Sequence, residues 1–158
     1  SFADSWQVEW IYGTRIFCCP QTDIHSSAVP MRGGEAALQF TMPWHRMARS
    51  GPEELGVRLR TAASSMRYNN SGKDHDEFSF LGGASWTFPL SERFGFDVYT
   101  LCGAALARGS WKPELVAGTS MGLLTSGFYK LKLFAEADWF PTSSPLSFVT
   151  GFSLSFCL

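Results

Sequence analysis

The chain is short of charge. Charged residues make up 17% of its 158 positions, against the usual quarter, while aromatic residues reach 15%. The net charge of −1 gives no indication of nucleic-acid binding or of a polybasic contact with a membrane surface. Mean hydropathy is nevertheless close to neutral, so the chain as a whole is not hydrophobic. The length suits one domain, which we place at residues 1–158.

Long apolar runs are also missing. A transmembrane helix needs about 20 predominantly apolar residues, and no run approaches that length. The longest weakly polar run, 98–107, is interrupted by Thr100 and by small residues. No helical period of useful length is visible. A membrane-spanning helix and an amphipathic helical fold are therefore excluded as interpretations of this sequence.

Motifs that bind cofactors or carry out catalysis are absent as well. The four cysteines, Cys18, Cys19, Cys102 and Cys157, have no C-x-x-C spacing, which disfavours a zinc site. There is no glycine-rich phosphate loop and no catalytic elbow. We therefore predict neither a metal nor a cofactor, and we interpret the cysteines as free thiols.

Alternation of apolar and polar residues is what the chain does contain. In the last segment Phe152, Leu154 and Phe156 alternate with Ser153 and Ser155. Eight such segments occur, at 5–17, 35–42, 55–63, 77–88, 93–106, 114–124, 128–140 and 146–158. Turn-like stretches rich in Gly, Pro, Ser or Asn separate them. The pattern predicts an all-β fold, an eight-stranded antiparallel up-and-down transmembrane β-barrel.

The composition of the polar phase indicates which face points inward. Soluble barrels expose Lys, Glu and Thr on that phase, whereas here it is rich in Gly and Ser, as a narrow lumen requires. Its charges are of both signs, so buried partners are available. The predicted lumen charge network is Glu9, Glu35, Arg58, Arg60, Asp97, Glu114, Lys130, Lys132, Glu136 and Asp138. We expect it to be structural rather than an acid–base site.

Aromatic residues of the apolar phase gather toward the ends of the predicted strands. Transmembrane barrels have aromatic girdles at both membrane interfaces, and this distribution is typical of them. The predicted interface aromatics are Trp6, Tyr12, Trp86, Phe88, Phe94, Tyr129, Trp139 and Phe156. Short turns at 89–92 and 125–127 would lie on one side of the membrane, with the longer stretches 18–33 and 65–76 on the other.

On these residues the sequence resembles the small eight-stranded outer-membrane proteins, the superfamily of OmpX, OmpW, the OmpA barrel domain and the opacity proteins. The hairpin 86–94, the segment 97–103 after it and the alternating last strand carry the resemblance, which is architectural and covers nearly the whole chain. The family usually ends in Phe, and here the end is Phe156-Cys157-Leu158. The resemblance implies location in a bacterial outer membrane.

Some enzymes of this fold, the lipid A deacylases and a palmitoyltransferase, use a His and a Ser. The three histidines here, His25, His45 and His75, are predicted to lie in loops or turns, and none sits in a strand with a Ser two residues on. We therefore predict a protein that is not an enzyme.

Three functions fit this sequence. The leading prediction is a monomeric surface protein whose external loops contact the environment or host surface molecules. The alternative is a narrow conduit for small or hydrophobic solutes, as the OmpW resemblance implies. A further alternative is a soluble lipocalin-like binding barrel with its apolar phase inward. For the first two the main partner is the lipid bilayer, and nucleic acid is not a partner.

Overall fold

The computed structural model of the chain describes residues 6–18, 30–45, 54–68, 74–91, 94–107, 109–142 and 146–158. Eight strands lie in these ranges: β1 (Gln7–Cys18), β2 (Pro30–His45), β3 (Glu54–Tyr68), β4 (Asp74–Pro89), β5 (Gly95–Ala107), β6 (Ser110–Thr125), β7 (Tyr129–Trp139) and β8 (Leu146–Cys157). None of these residues belongs to a helix with the length and hydrophobicity needed to cross a membrane.

The strands form one closed barrel. Each strand pairs antiparallel with the next, and β8 pairs with β1, which confirms the predicted eight-stranded antiparallel fold. The strand pairing can be followed once round the barrel, starting at Val8 and passing through β2 to β8. It returns to β1 at Cys18, which lies ten residues after Val8. A stagger of this size requires the strands to tilt by about 40° from the barrel axis.

The barrel has two ends. The lower rim carries the start of β1 and the tight turns after β4 and β6, where Leu90 N–H donates to the Phe94 carbonyl at 2.9 Å and Ser126 N–H to the Tyr129 carbonyl at 2.8 Å. The upper rim carries the end of β1 and the connections that follow β3, β5 and β7.

Several strands extend beyond their predicted limits. β2 begins at Pro30 and ends at His45, and β6 contains Pro113. The prediction ended strands at prolines, but a proline is accommodated where the pairing is irregular, and the β2–β3 register shifts at Pro30 and at Pro43. His45 and His75 accordingly lie in β2 and β4, so their prediction as loop residues is wrong. His25 lies outside the described residues.

Burial is inverted relative to a soluble protein. Every strand exposes large apolar side chains on the outside, such as Trp10 at 50% and Phe152 at 55%. These outward apolar side chains of the eight strands are called the apolar belt below. The inward phase is buried and carries eleven charged side chains, so the lipocalin-like alternative, with its apolar phase inside, is wrong for this chain.

Neighbouring strands approach each other closely at glycines in two places in the wall, which are called the two glycine corners below. A β-carbon on Gly83 would lie 1.9 Å from the Thr100 carbonyl oxygen, and one on Gly151 would lie 1.9 Å from the Tyr12 carbonyl oxygen. No side chain fits at such distances, so the neighbouring backbones approach closely only because these residues are glycine. The corners lie between β4 and β5 and between β8 and β1.

Candidate functional site: a charged lumen

Arg15 connects the two strands that close the barrel with their neighbours. Its side chain is 2% exposed and forms ion pairs with Glu35 on β2 and Asp138 on β7. Nη1 also donates to Ser147 Oγ on β8 at 2.8 Å. One guanidinium on β1 therefore contacts three other strands, and its fixed fork of donors suits two carboxylates at once.

A second chain of contacts crosses the lumen through Arg60. Its Nη1 lies 2.8 Å from both carboxylate oxygens of Glu136, and its Nε donates to Gln39 Oε1 at 2.9 Å. Gln39 Nε2 in turn donates to Glu9 Oε2 at 2.9 Å, and Tyr99 OH donates to Glu136 Oε1 at 3.0 Å. These contacts link β1, β2, β3, β5 and β7.

Asp97 is the centre of a third cluster. Its carboxylate accepts hydrogen bonds from Thr87 at 2.7 Å, Ser120 at 2.9 Å and Lys132 at 3.1 Å. The Nη2 atom of Arg58 lies 3.4 Å from the same carboxylate. A buried charge is costly unless it is paired and hydrogen-bonded, and Asp97 has both kinds of partner.

Near the upper rim, Lys112 Nζ contacts Glu77 Oε1 at 2.7 Å, and its side chain is partly exposed. The same amino group lies 4.0 Å from the centre of the Phe140 ring. Below this pair, Ser79 Oγ donates to Glu114 Oε2 at 2.7 Å. Polar pairing thus continues from the middle of the lumen to its upper end.

Apolar side chains fill the space between the charges. Ile11, Phe134 and Val149 belong to one buried cluster, and Leu101 and Tyr99 belong to another. The guanidinium carbon of Arg58 lies 4.5 Å from the centre of the Tyr99 ring, and that of Arg60 lies 5.7 Å from it. An eight-stranded barrel is just wide enough for its interior side chains to fill, and these side chains meet across it.

Nearly all residues of the predicted charge network are buried inside the barrel. Nine of its members are buried in the inward phase: Glu9, Glu35, Arg58, Arg60, Asp97, Glu114, Lys132, Glu136 and Asp138. The tenth, Lys130, is half-buried and lies where β-carbons on Gly95 and Gly122 would contact it. All nine buried members take part in the contacts above.

Sequence reasoning missed Arg15, Gln39, Glu77 and Lys112. Arg15, Gln39 and Lys112 lie in the same phase as the predicted members of their strands, Glu9, Glu35 and Glu114. Glu77 lies in the polar phase of the fourth predicted segment, which has no predicted member. Arg15, Gln39 and Glu77 lie inside predicted segments, so including every polar residue of the inward phase would have found them. Only Lys112 required the sixth segment to begin before Glu114.

Most predicted interface aromatics lie near a rim. Trp6, Trp86, Phe88, Phe94, Tyr129 and Phe156 lie toward the lower rim, and Trp139 lies toward the upper one. The Trp86 and Phe88 rings are stacked with centres 5.2 Å apart. Tyr12 is an error in the prediction, because it lies at the middle of β1, opposite Ala36 and Phe152, with 64% of its surface exposed.

The described part of the chain contains free thiols but no group of side chains suited to a metal ion. Cys102 and Cys157 are free, and Cys102 faces outward. Within the ranges that the structure covers, no group of three His, Cys, Asp or Glu side chains is arranged to bind a metal ion. The chemistry of the lumen is that of mutually paired ions.

Comparison with protein-family models finds no match. Comparison with curated proteins finds no match either. Among solved structures, the chain is similar to one described as "De novo design of transmembrane beta-barrels", with a TM-score of 0.53 and 15% identity. The match covers 98% of this chain and 96% of the designed one. At that identity the likeness shows the fold alone: a closed eight-stranded antiparallel barrel resembling designed transmembrane barrels.

Proposed function

We propose that the chain is a monomeric β-barrel of a bacterial outer membrane, without enzymatic activity, whose external loops contact the environment or a host surface. The observation that carries this proposal is the inverted burial of the strands. Eleven charged side chains of the lumen are less than a tenth exposed, while each of the eight strands exposes large apolar side chains outward. In water this arrangement would expose an apolar surface all round the barrel, whereas in lipid it satisfies both faces.

The two rims support a membrane location. Trp6, Trp86 and Phe94 on the lower rim and Trp111 and Trp139 toward the upper rim are all more than 40% exposed. Amphipathic aromatic rings are enriched where hydrocarbon meets the headgroups of a bilayer. The strands contain 11 to 16 residues, a length that suits tilted strands crossing a bilayer.

A filled lumen favours a surface protein over a conduit. Arg60 and Glu136 meet across the interior, and Phe134 and Leu101 belong to apolar clusters beside them. A solute passing through would have to separate buried ion pairs, each costly to break. The active part of the protein would then be its external loops, and β1 ends and β2 begins at the upper rim, as β3 ends and β4 begins there.

Folding into lipid tests the location. We expect the chain to fold in phospholipid vesicles, to migrate faster on an SDS gel when unheated than when boiled, and to resist protease at its strands. Solubility as a monodisperse monomer in detergent-free buffer would contradict the proposal, because the apolar belt would then be in water.

Conductance tests the filled lumen. Purified barrels inserted into a planar bilayer should show no discrete current steps above the baseline of a protein-free bilayer. A matched variant in which Arg60 and Glu136 are both replaced by Gly should be more permeable if those side chains block the lumen. Regular current steps from the unmodified chain would favour the conduit instead.

A further inference from the structure

The apolar belt contains a groove on one wall of the barrel. The groove has a volume of about 470 Å³ and crosses the outward faces of β4 to β8. Its floor includes Thr100, Cys102 and Ala117, all small side chains near the middle of their strands. Larger side chains, Leu115, Trp139 and Leu146, lie at its end toward the upper rim.

The groove follows from the sequence of this wall. Gly83 and Gly151 form the two corners of the barrel, and β5 to β7 lie between them. The outward residues that line the groove on these strands include Thr100, Cys102, Ala117 and Ala137, whose small side chains leave the backbone between them uncovered. Next to the Gly151 corner, by contrast, Trp10 and Tyr12 point outward from the middle part of β1 and are at least half exposed.

The geometry points to a binding site for one acyl chain of a membrane lipid in this groove, with the headgroup at the upper rim near Trp139. This inference rests on the proposed membrane location. The groove is continuous with the apolar belt, and its end toward the upper rim is marked by an aromatic ring of the kind that lies at headgroup level. Its volume falls within the roughly 300–1,000 Å³ typical of small-molecule sites.

A second copy of the chain fits this wall less well than an acyl chain does. All strands of the closed barrel are paired on both sides, so no free edge is available for strand addition. Stable protein interfaces bury about 1,200 Å² or more, and a groove lined by eleven residues, several of them Ala or Gly, offers little of that area.

Native mass spectrometry of the full chain in detergent with added palmitoyl-oleoyl phosphatidylglycerol tests the site. The unmodified barrel should retain one lipid. Ala117→Phe fills the floor of the groove and should lower the retained fraction at least tenfold, and the smaller Ala117→Leu should lower it less. The matched control is Ala36→Phe, since Ala36 is an exposed outward alanine near the middle of β2, outside the groove. It should retain lipid as the unmodified chain does.

The outcomes separate this site from the proposed function. Heat-dependent migration shows that each variant has folded, so a folded barrel that retains lipid equally with Phe or Ala at position 117 overturns the groove site alone. Failure of the unmodified chain to fold in lipid would overturn the proposed function instead. Dimers that disappear in Ala117→Phe would show that a second copy occupies the groove, which also contradicts acyl-chain binding.

Discussion

The inner and outer faces of the same strands differ in how tightly each position is determined. Lys132 and Leu133 are consecutive on β7, yet Lys132 is 4% exposed and paired with Asp97, whereas Leu133 is 37% exposed on the outside. An inward residue must match particular partners on other strands. In the proposed membrane location an outward residue needs only to be apolar, because lipid has no fixed geometry.

That difference explains why only the polar phase of the strands shows which face points into the barrel. The apolar phase would look the same in a soluble core and on a lipid-facing surface. Only the inward set, with small residues and charges of both signs, requires a narrow interior. We therefore expect substitutions on the inner face to act through lost partners and those on the outer face to act through depth in the bilayer.

The largest effect is expected from removing an inner partner. Arg60→Ala leaves Glu136 buried without its cation and should lower the free energy of unfolding by about 3–5 kcal/mol. Urea titration in phospholipid vesicles measures it. The control is the double variant Arg60→Met with Glu136→Leu, which removes both charges and should recover most of the loss. A single variant within 0.5 kcal/mol of the unmodified chain would show that the pair does not matter.

An outward lysine should have a smaller effect that depends on its depth. Leu133→Lys, near the middle of β7, should cost about 2–4 kcal/mol. Leu124→Lys is the matched control, because Leu124 is also outward and lies at the lower end of β6, where the cost should fall to about 0–1 kcal/mol. The same vesicle titration compares them. Equal costs at both depths would contradict a bilayer around the belt.

The adjacent residues Gly82 and Gly83 allow the cost of an added methyl group to be compared between the outer and inner faces of β4. Gly83→Ala would place a β-carbon 1.9 Å from the Thr100 carbonyl oxygen and should cost about 1–3 kcal/mol or more. Gly82→Ala, on the outward phase, would meet Leu59 Cδ2 at 3.4 Å and the Arg58 carbonyl oxygen at 3.8 Å, which are ordinary contact distances, and should be nearly neutral. Unfolding midpoints in urea would rank the two variants. If Gly83→Ala were the milder change, the result would contradict the close approach of β4 and β5 at Gly83.

The smallest effect is expected where partners are redundant. Thr87→Val removes one of four groups around Asp97 and leaves Ser120, Lys132 and Arg58 in place. The expected cost is about 1 kcal/mol, the net value of a typical hydrogen bond. A loss as large as that of Arg60→Ala would mean that the Asp97 cluster has no such redundancy.

Much of the fold could be predicted because alternation is a local signal. All eight strands follow from it, as do the inward charges, which share a phase with Gly and Ser. Strand ends were missed at Pro30, Pro43 and Pro113, since ladder pairing in a closed barrel continues past residues that locally disfavour a strand. Tyr12 was misplaced for a different reason, because position 12 lies near the middle of both the predicted segment 5–17 and β1, so neither puts it near a strand end.

The partners within the lumen could not be predicted. Arg15 and Asp138 are separated by 123 positions, and their contact depends on the stagger with which β8 closes on β1. The groove likewise depends on the two glycine corners, and neither Gly83 nor Gly151 differs in sequence from the other small residues of the inward phase.

A nitroxide attached at position 133 tests the central claim most directly. Leu133→Cys is introduced with the four native cysteines replaced by Ser, and the labelled chain is folded in phospholipid vesicles. Collisions with oxygen, which concentrates in hydrocarbon, should greatly exceed those with a water-soluble nickel complex, while a label at Leu90 in the lower turn should show the reverse. If the nickel complex reaches position 133 as readily as position 90, the apolar belt does not face lipid.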